Sequence, residues 1–431
     1  MIWYGRRESN PRLELGRLSR YHYATPAHST DSNGPALIRQ VVIGCSFSGF
    51  AERANSENEQ VIIRVRRACA RLGARTTNKK KQSTAANNYP YGITYALLLT
   101  IFSFRFTIEG EALFQPQIEN QYMLLCFTPN PAIDRVLLAP GFRHAESVRV
   151  AEARESAGGK GLNVARVARV LGLPARICGP LAGANGRRIA ALAADEGFDA
   201  RWCWLAGGES RICLLVIDQG ARDTLVINER GPTTSAPDWD LLARLVTTEA
   251  ARASAVAISG SLPPGVAAGK LTALLRELSS QSTVYLDTSG AALTEALNLP
   301  LALLKVNAEE LGEALGTQIT TPAEARAAAG HVQAHGPAAV IVTLGPVGAV
   351  AVDTSGAWLA RSPKIAAISA VGSGDAMLAG VAAALAERRG LAEALRLGVA
   401  CGAANTLAVG AGILYAHDVA QLRAATTLVE V

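Results

Sequence analysis

Ala255-Val256-Ala257-Ile258-Ser259-Gly260-Ser261-Leu262-Pro263-Pro264-Gly265 is the stretch on which the fold turns. An apolar run of strand length stops at Ser, Gly and Pro, and a helical pattern follows. The same order recurs after Thr283-Val284-Tyr285-Leu286 and after Ala339-Val340-Ile341-Val342-Thr343. Short apolar runs alternating with amphipathic helices predict an α/β protein with a mostly parallel, buried sheet. Two segments break the pattern, from about Ile133 to Arg154 and from about Trp202 to Glu229. Their strands are more polar and no helix intervenes, so they are predicted to form a small separate sheet.

Working outward, the pattern begins at Met123, directly before Leu124-Leu125-Cys126-Phe127, and is lost upstream. Residues 1–122 mix Arg-rich pieces, the polar tract Asn78-Lys79-Lys80-Lys81 and turn formers, and read as a non-native or disordered extension. Gly5 to Tyr23 resembles conceptual translation across a transfer-RNA gene, so translation is expected to start at Met123. The apolar stretch Tyr91 to Phe106 is interrupted by Thr94, Thr100, Ser103 and Arg105. It falls short of the roughly 20 apolar residues of a bilayer span and lies too deep for a signal peptide. No membrane association is expected.

Net charge is +6, but residues 1–122 hold 16 Lys+Arg against 9 Asp+Glu, and the rest of the chain is close to neutral. Without a basic face or a reading motif, nucleic acid is not an expected partner. Cys45, Cys69, Cys126, Cys178, Cys203, Cys213 and Cys401 form no C-x-x-C pair, which argues for reduced thiols and a cytoplasmic protein.

Two glycine-rich helix starts carry the chemistry. Ala157-Gly158-Gly159-Lys160-Gly161-Leu162-Asn163 opens a helix whose N-terminal amides and Lys160 suit an anion, while Asn163 suits a hydroxyl. It is not a P-loop, because Gly161 stands where Ser or Thr would follow Gly-Lys; a plain turn with a solvated lysine is the alternative. Val371-Gly372-Ser373-Gly374-Asp375-Ala376-Met377 opens a second helix. Asp375 there either complements the helix dipole or takes a proton from a hydroxyl attacking a phosphoryl group. Thr128-Pro129-Asn130-Pro131-Ala132-Ile133-Asp134 adds a carboxylate. Lys305-Val306-Asn307-Ala308-Glu309-Glu310 places Asn307 and Glu310 on one helix face, suited to a hydrated metal and phosphates. Thr343-Leu344-Gly345-Pro346-Val347-Gly348-Ala349 offers glycines to a nucleotide. His331 and His335 lack an H-E-x-x-H partner and are expected on an exposed helix face; Asp287 is expected to cap a helix.

In this order, N-P-A-I-D, G-G-K-G-L-N, S-G-S-L-P-P-G, K-x-N-x-x-E and G-S-G-D resemble the PfkB carbohydrate kinases, within them the 1-phosphofructokinase and tagatose-6-phosphate kinase branch. The resemblance spans residues 123–431 and implies a ribokinase-like three-layer α/β/α domain with a small β-sheet lid. It implies Asp375 as catalytic base and Gly372, Ser373 and Gly374 as the anion hole. Asp134, Gly158, Gly159 and Asn163 would bind the sugar, Lys160 its phosphate, and Arg211 would reach substrate from the lid. Lys305, Asn307, Glu310, Thr343, Gly345, Gly348 and Asn405 would serve ATP, with Glu310 acting on Mg²⁺ indirectly. Ala370 before Val371, Ser373 in place of alanine, and Val306 within K-x-N depart from the usual pattern. The implied reaction is ATP-dependent phosphorylation of a ketohexose phosphate, fructose 1-phosphate to fructose 1,6-bisphosphate. Tagatose-6-phosphate kinase and 6-phosphofructokinase are the alternatives, and a non-catalytic sugar or nucleotide sensor is the rival of another class. A one-sided lid sheet would also favour a homodimer through the lids.

Overall fold

Leu124 and Cys126 enter one apolar cluster and Leu125 and Phe127 another, so β1 (Leu124–Phe127) is covered on both faces. This is why such runs are apolar throughout rather than alternating. The computed structural model describes residues 122–141, 147–150, 152–218, 220 and 223–431. The expectations for residues 1–121 lie outside the described residues.

After β1 come β2 (Ala132–Ala139), β3 (Glu152–Gly158), α1 (Lys160–Val170), β4 (Ala175–Leu181), α2 (Gly183–Asp195), β5 (Asp199–Trp204), β6 (Arg211–Asp218) and β7 (Asp223–Asn228). Then follow α3 (Ala236–Ala250), β8 (Ala255–Ser259), α4 (Ala268–Ser279), β9 (Thr283–Asp287), α5 (Ala291–Ala296), β10 (Leu303–Asn307), α6 (Ala308–Leu315) and α7 (Pro322–Gln333). The last part holds β11 (Ala339–Thr343), β12 (Gly348–Asp353), β13 (Gly356–Arg361), α8 (Ser373–Ala386), α9 (Leu391–Asn405), α10 (Ala416–Ala425) and β14 (Thr427–Glu430).

The main sheet has ten strands in the order β14-β13-β12-β11-β10-β9-β8-β1-β4-β5. Its run from β11 to β5 is parallel, and β12 to β14 are antiparallel. Leu162, Ile189, Val381, Leu395 and Val419 bring α1, α2, α8, α9 and α10 onto one face. Leu242, Leu274, Leu293, Leu311 and Ala329 bring α3 to α7 onto the other. The arrangement is the expected three-layer α/β/α sandwich.

A second sheet has the order β3-β2-β6-β7, around Val136, Leu215 and Ile217. One boundary differs from expectation. Trp202 to Trp204 belong to β5, which pairs with β4 in the main sheet. As an edge strand β5 is only partly covered, and Trp204 is 49% exposed. Its polarity therefore resembled that of the small sheet. His331 and His335 are exposed, Cys126, Cys178, Cys203, Cys213 and Cys401 are free, and no helix among the described residues is long and apolar enough to cross a membrane.

Candidate active site

Parallel pairing sets Ser259 beside Asp287 and Asn307 beside Thr343, so β8 to β11 end on one ledge. In open α/β sheets ligands bind outside these carboxyl ends. Onto the same region open α1, from Lys160, and α8, from Ser373. Asn163 Nδ2 donates to Asp375 Oδ2 at 2.9 Å. Asp287 lies between two lysines, Lys305 Nζ donating to Oδ2 at 2.8 Å and Lys160 Nζ to Oδ1 at 3.4 Å. Lys305 Nζ is 2.6 Å from where a Cβ on Gly374 would stand. Sequence positions far apart thus meet in one cluster of Lys160, Asn163, Asp287, Lys305, Gly374 and Asp375.

Burial pushes the Asp375 carboxyl up to about 6, against the pull of Lys160 and the Asn163 hydrogen bond. The carboxylate therefore ionises near neutrality and can accept a proton. The Asp287 carboxylate beside Lys160 outweighs burial and raises the lysine above its ordinary value, keeping it cationic. Lys160 is the more open of the two lysines, its side chain 40% exposed against 5% for Lys305. The glycine at the head of α8 is obligatory: Gly372 has φ +81, and a Cβ there would meet Ala411 Cα at 2.8 Å.

Asp134 is buried against Gly158, where a Cβ would fall 2.1 Å from Asp134 Cγ. Burial pushes its carboxyl up to about 6, against Arg166, Arg211 and the Gly159 amide. The glycines read as an anion approach thus also make room for a carboxylate. Half-buried Arg211 donates through Nε to the Asn130 carbonyl at 3.1 Å and through Nη1 to that of Glu229 at 3.4 Å.

The pattern of the pfkB family carbohydrate kinases matches residues 128–417. The chain belongs to this family. It is a sugar-phosphate kinase, a phosphotransferase with an alcohol acceptor, on a ribokinase-like α/β fold. PfkB relatives include the 1-phosphofructokinase of Rhodobacter capsulatus, 36% identical over 63% of this chain and 86% of that protein. The ATP-dependent 6-phosphofructokinase isozyme 2 of Escherichia coli is 33% identical over 67% of this chain and 93% of its own. The structure of Escherichia coli phosphofructokinase-2 with substrates and products superposes with a TM-score of 0.65, at 30% identity, over 71% of this chain and 99% of that one.

Within this PfkB kinase, several residues play parts that sequence spacing did not convey. Asn307 and Glu310 form a capping box at the start of α6, the Asn307 side chain accepting from the Glu310 amide and the reverse. Gly348 is buried where a Cβ would meet the Ala360 carbonyl at 2.0 Å, so it serves strand pairing, whereas Gly345 is exposed and Thr343 half-buried. Asn405 is fully buried, donates to the Val371 carbonyl at 2.8 Å and accepts from the Gly412 amide at 2.8 Å. It borders the site by bracing its loops. Asp287 caps no helix, since Gly290 is the N-cap of α5 and no side chain caps it; burial between two lysines is its role instead. No motif marks Arg166 or Glu196 in the sequence. Arg166 lies three residues after Asn163 on α1, and that spacing was the available signal.

Proposed function

We propose that this PfkB kinase transfers the γ-phosphoryl group of ATP to fructose 1-phosphate, giving fructose 1,6-bisphosphate. The observation that carries the reading is the buried Asp375 carboxylate, held by Asn163 at the amide-rich start of α8, with Lys160 and Lys305 close by. Asp375 would take the proton of the acceptor hydroxyl as its oxygen attacks the γ-phosphorus and the bond to ADP breaks. The amides of Gly372 and Gly374 would face the charge on the transferring group, with Ser373, whose amide donates to the Ala370 carbonyl at 3.2 Å, between them. Asp134, Gly158, Gly159, Asn163 and Arg211 would hold the sugar, and Lys305, Thr343 and Gly345 the nucleotide.

Mg²⁺ fits this arrangement through Glu310, whose Oε2 is taken by Asn307 and whose other oxygen is left for the ion's hydration shell. Bound there with the nucleotide, it would neutralise phosphate charge. A coupled ADP-release assay against sugar phosphates tests the acceptor. The highest kcat/KM is expected with fructose 1-phosphate; a higher value with fructose 6-phosphate or tagatose 6-phosphate would move the assignment.

Lys160 is assigned to the acceptor's phosphate. Lys160→Ala should raise KM for the sugar phosphate about 10- to 100-fold, the equivalent of about 1.5–3 kcal/mol for a charge-assisted contact, and spare KM for ATP. A rise confined to ATP would place the lysine on the donor side.

Residues 123–431 are proposed to form the complete kinase domain, with the small sheet as a lid and as the contact of a homodimer. Support for the dimer comes from β7, an edge strand with Leu225 44% and Ile227 48% exposed. The free thiols suit a reducing compartment, the cytoplasm. Expressed alone, residues 123–431 should retain the kcat of the full chain and sediment as a dimer. An inactive product would refute the domain boundary, and an active monomer the dimer.

A further inference from the structure

Arg166 is buried on α1 and spends its guanidinium in several directions. Nη1 donates to Asn163 Oδ1 at 2.9 Å and to the Ala411 carbonyl at 3.2 Å. Nη2 donates to the Ala157 carbonyl at 2.6 Å and to Glu196 Oε1 at 3.0 Å, and Nε to Glu196 Oε2 at 2.8 Å. A guanidinium has no acceptor, so only the oxygen of the Asn163 amide can face it. The amide nitrogen must then face Asp375, where it donates to Oδ2. The second route runs through Ala411, on which Gly372 packs at the head of α8. One side chain therefore governs both the amide that orients the Asp375 carboxylate and the loop that supports the helix carrying it.

We propose that Arg166, anchored by Glu196, is a positioning residue for the catalytic base: it locks Asn163 so that Asp375 keeps Oδ2 engaged and Oδ1 aimed at the acceptor hydroxyl. The proposal rests on the reading of Asp375 as the base. Without Arg166 the Asn163 amide is free to turn and offer its oxygen, which favours protonated Asp375. The other charged groups acting on Asp375 are Lys160, Asp287 and Lys305, and none touches Arg166. Arg166 also holds down the Asp134 carboxyl, which burial pushes up to about 6, so the limb is read in kcat at saturating sugar phosphate and must vanish in the Asp375→Asn background, where a limb due to Asp134 would persist.

The test compares Arg166→Met in the wild-type and Asp375→Asn backgrounds. In the wild type it should lower kcat about 10- to 100-fold, spare KM for ATP, and move the acidic limb of the pH–rate profile upward by about one unit. In the Asp375→Asn background the same change should cost less than about threefold, because coupled residues are non-additive. Equal losses in both backgrounds, or an unmoved limb, overturn the proposal. Should Arg166→Met fail to fold, Glu196→Gln carries the test at a side chain 25% exposed. It should move the limb in the same direction by less, and an unchanged limb and kcat there overturn the proposal. Full activity of Asp375→Asn itself would instead overturn the base assignment, so the two failures are distinguishable.

Discussion

Asp375→Asn is expected to lower kcat by roughly 10²–10⁴ with KM values and thermal midpoint nearly unchanged. Asparagine matches aspartate in size, and its side-chain oxygen can still accept from Asn163. What it lacks is the capacity to take a proton. A carboxylate that only complemented the helix dipole would be worth about 0.3–1 kcal/mol of stability and nothing in turnover. The wild-type rate should fall as pH falls through about 6, where burial holds the Asp375 carboxyl and protonation removes the base. The residual kcat of the asparagine variant, read at saturating sugar phosphate so that the titration of Asp134 does not enter, should lose that limb. Steady-state kinetics across pH and a melting curve separate the readings; near-normal kcat in a folded variant would remove Asp375 from the chemistry.

Asp287→Ala should be the most damaging substitution for stability, at about 3–5 kcal/mol. Lys305 is 4% exposed and pairs with Asp287 at 2.8 Å, so the change strands a buried ammonium. Burial pushes the Asp287 carboxyl up, but Lys305 and Lys160 outweigh it and hold it below the ordinary carboxylate value. A carboxylate so depressed contributes stability above its unfolded value, about 3.9, and that contribution is lost as pH falls through the lower folded value. The gap between wild type and variant should therefore be full at neutral pH and shrink in acid. Adding Lys305→Met should recover much of the loss, because the stranded charge is then gone. Urea denaturation measures all three proteins, and a single variant within about 1 kcal/mol of wild type would refute the account.

The layered fold was legible because a strand covered on both faces must be apolar along its covered length, and residues 255–258 and 339–342 of two such strands are. The edge strand Asp199–Trp204 misled for the same reason, being half covered. At the site, glycines before α1 and α8 marked the helix starts that carry Lys160 and Asp375, whereas side-chain partnerships stayed hidden. Asp287 meets Lys305 and Lys160 from separate segments, and no local pattern encodes that meeting. Asn307 and Glu310 show the converse: their spacing fits a metal-facing pair and a capping box equally, and only geometry reveals the box.

The place of β1 has a consequence in time. Among the described strands it is the first to leave the ribosome, yet it lies between β4 and β8, and Met123 bonds to Ser254 across 131 residues. Until that distant partner is synthesised, a wholly apolar strand has one edge without its native neighbour. Long-range pairing of this kind makes folding slow and exposes such segments to aggregation. During synthesis, this strand, third in from the β5 edge, is the sheet's vulnerable part.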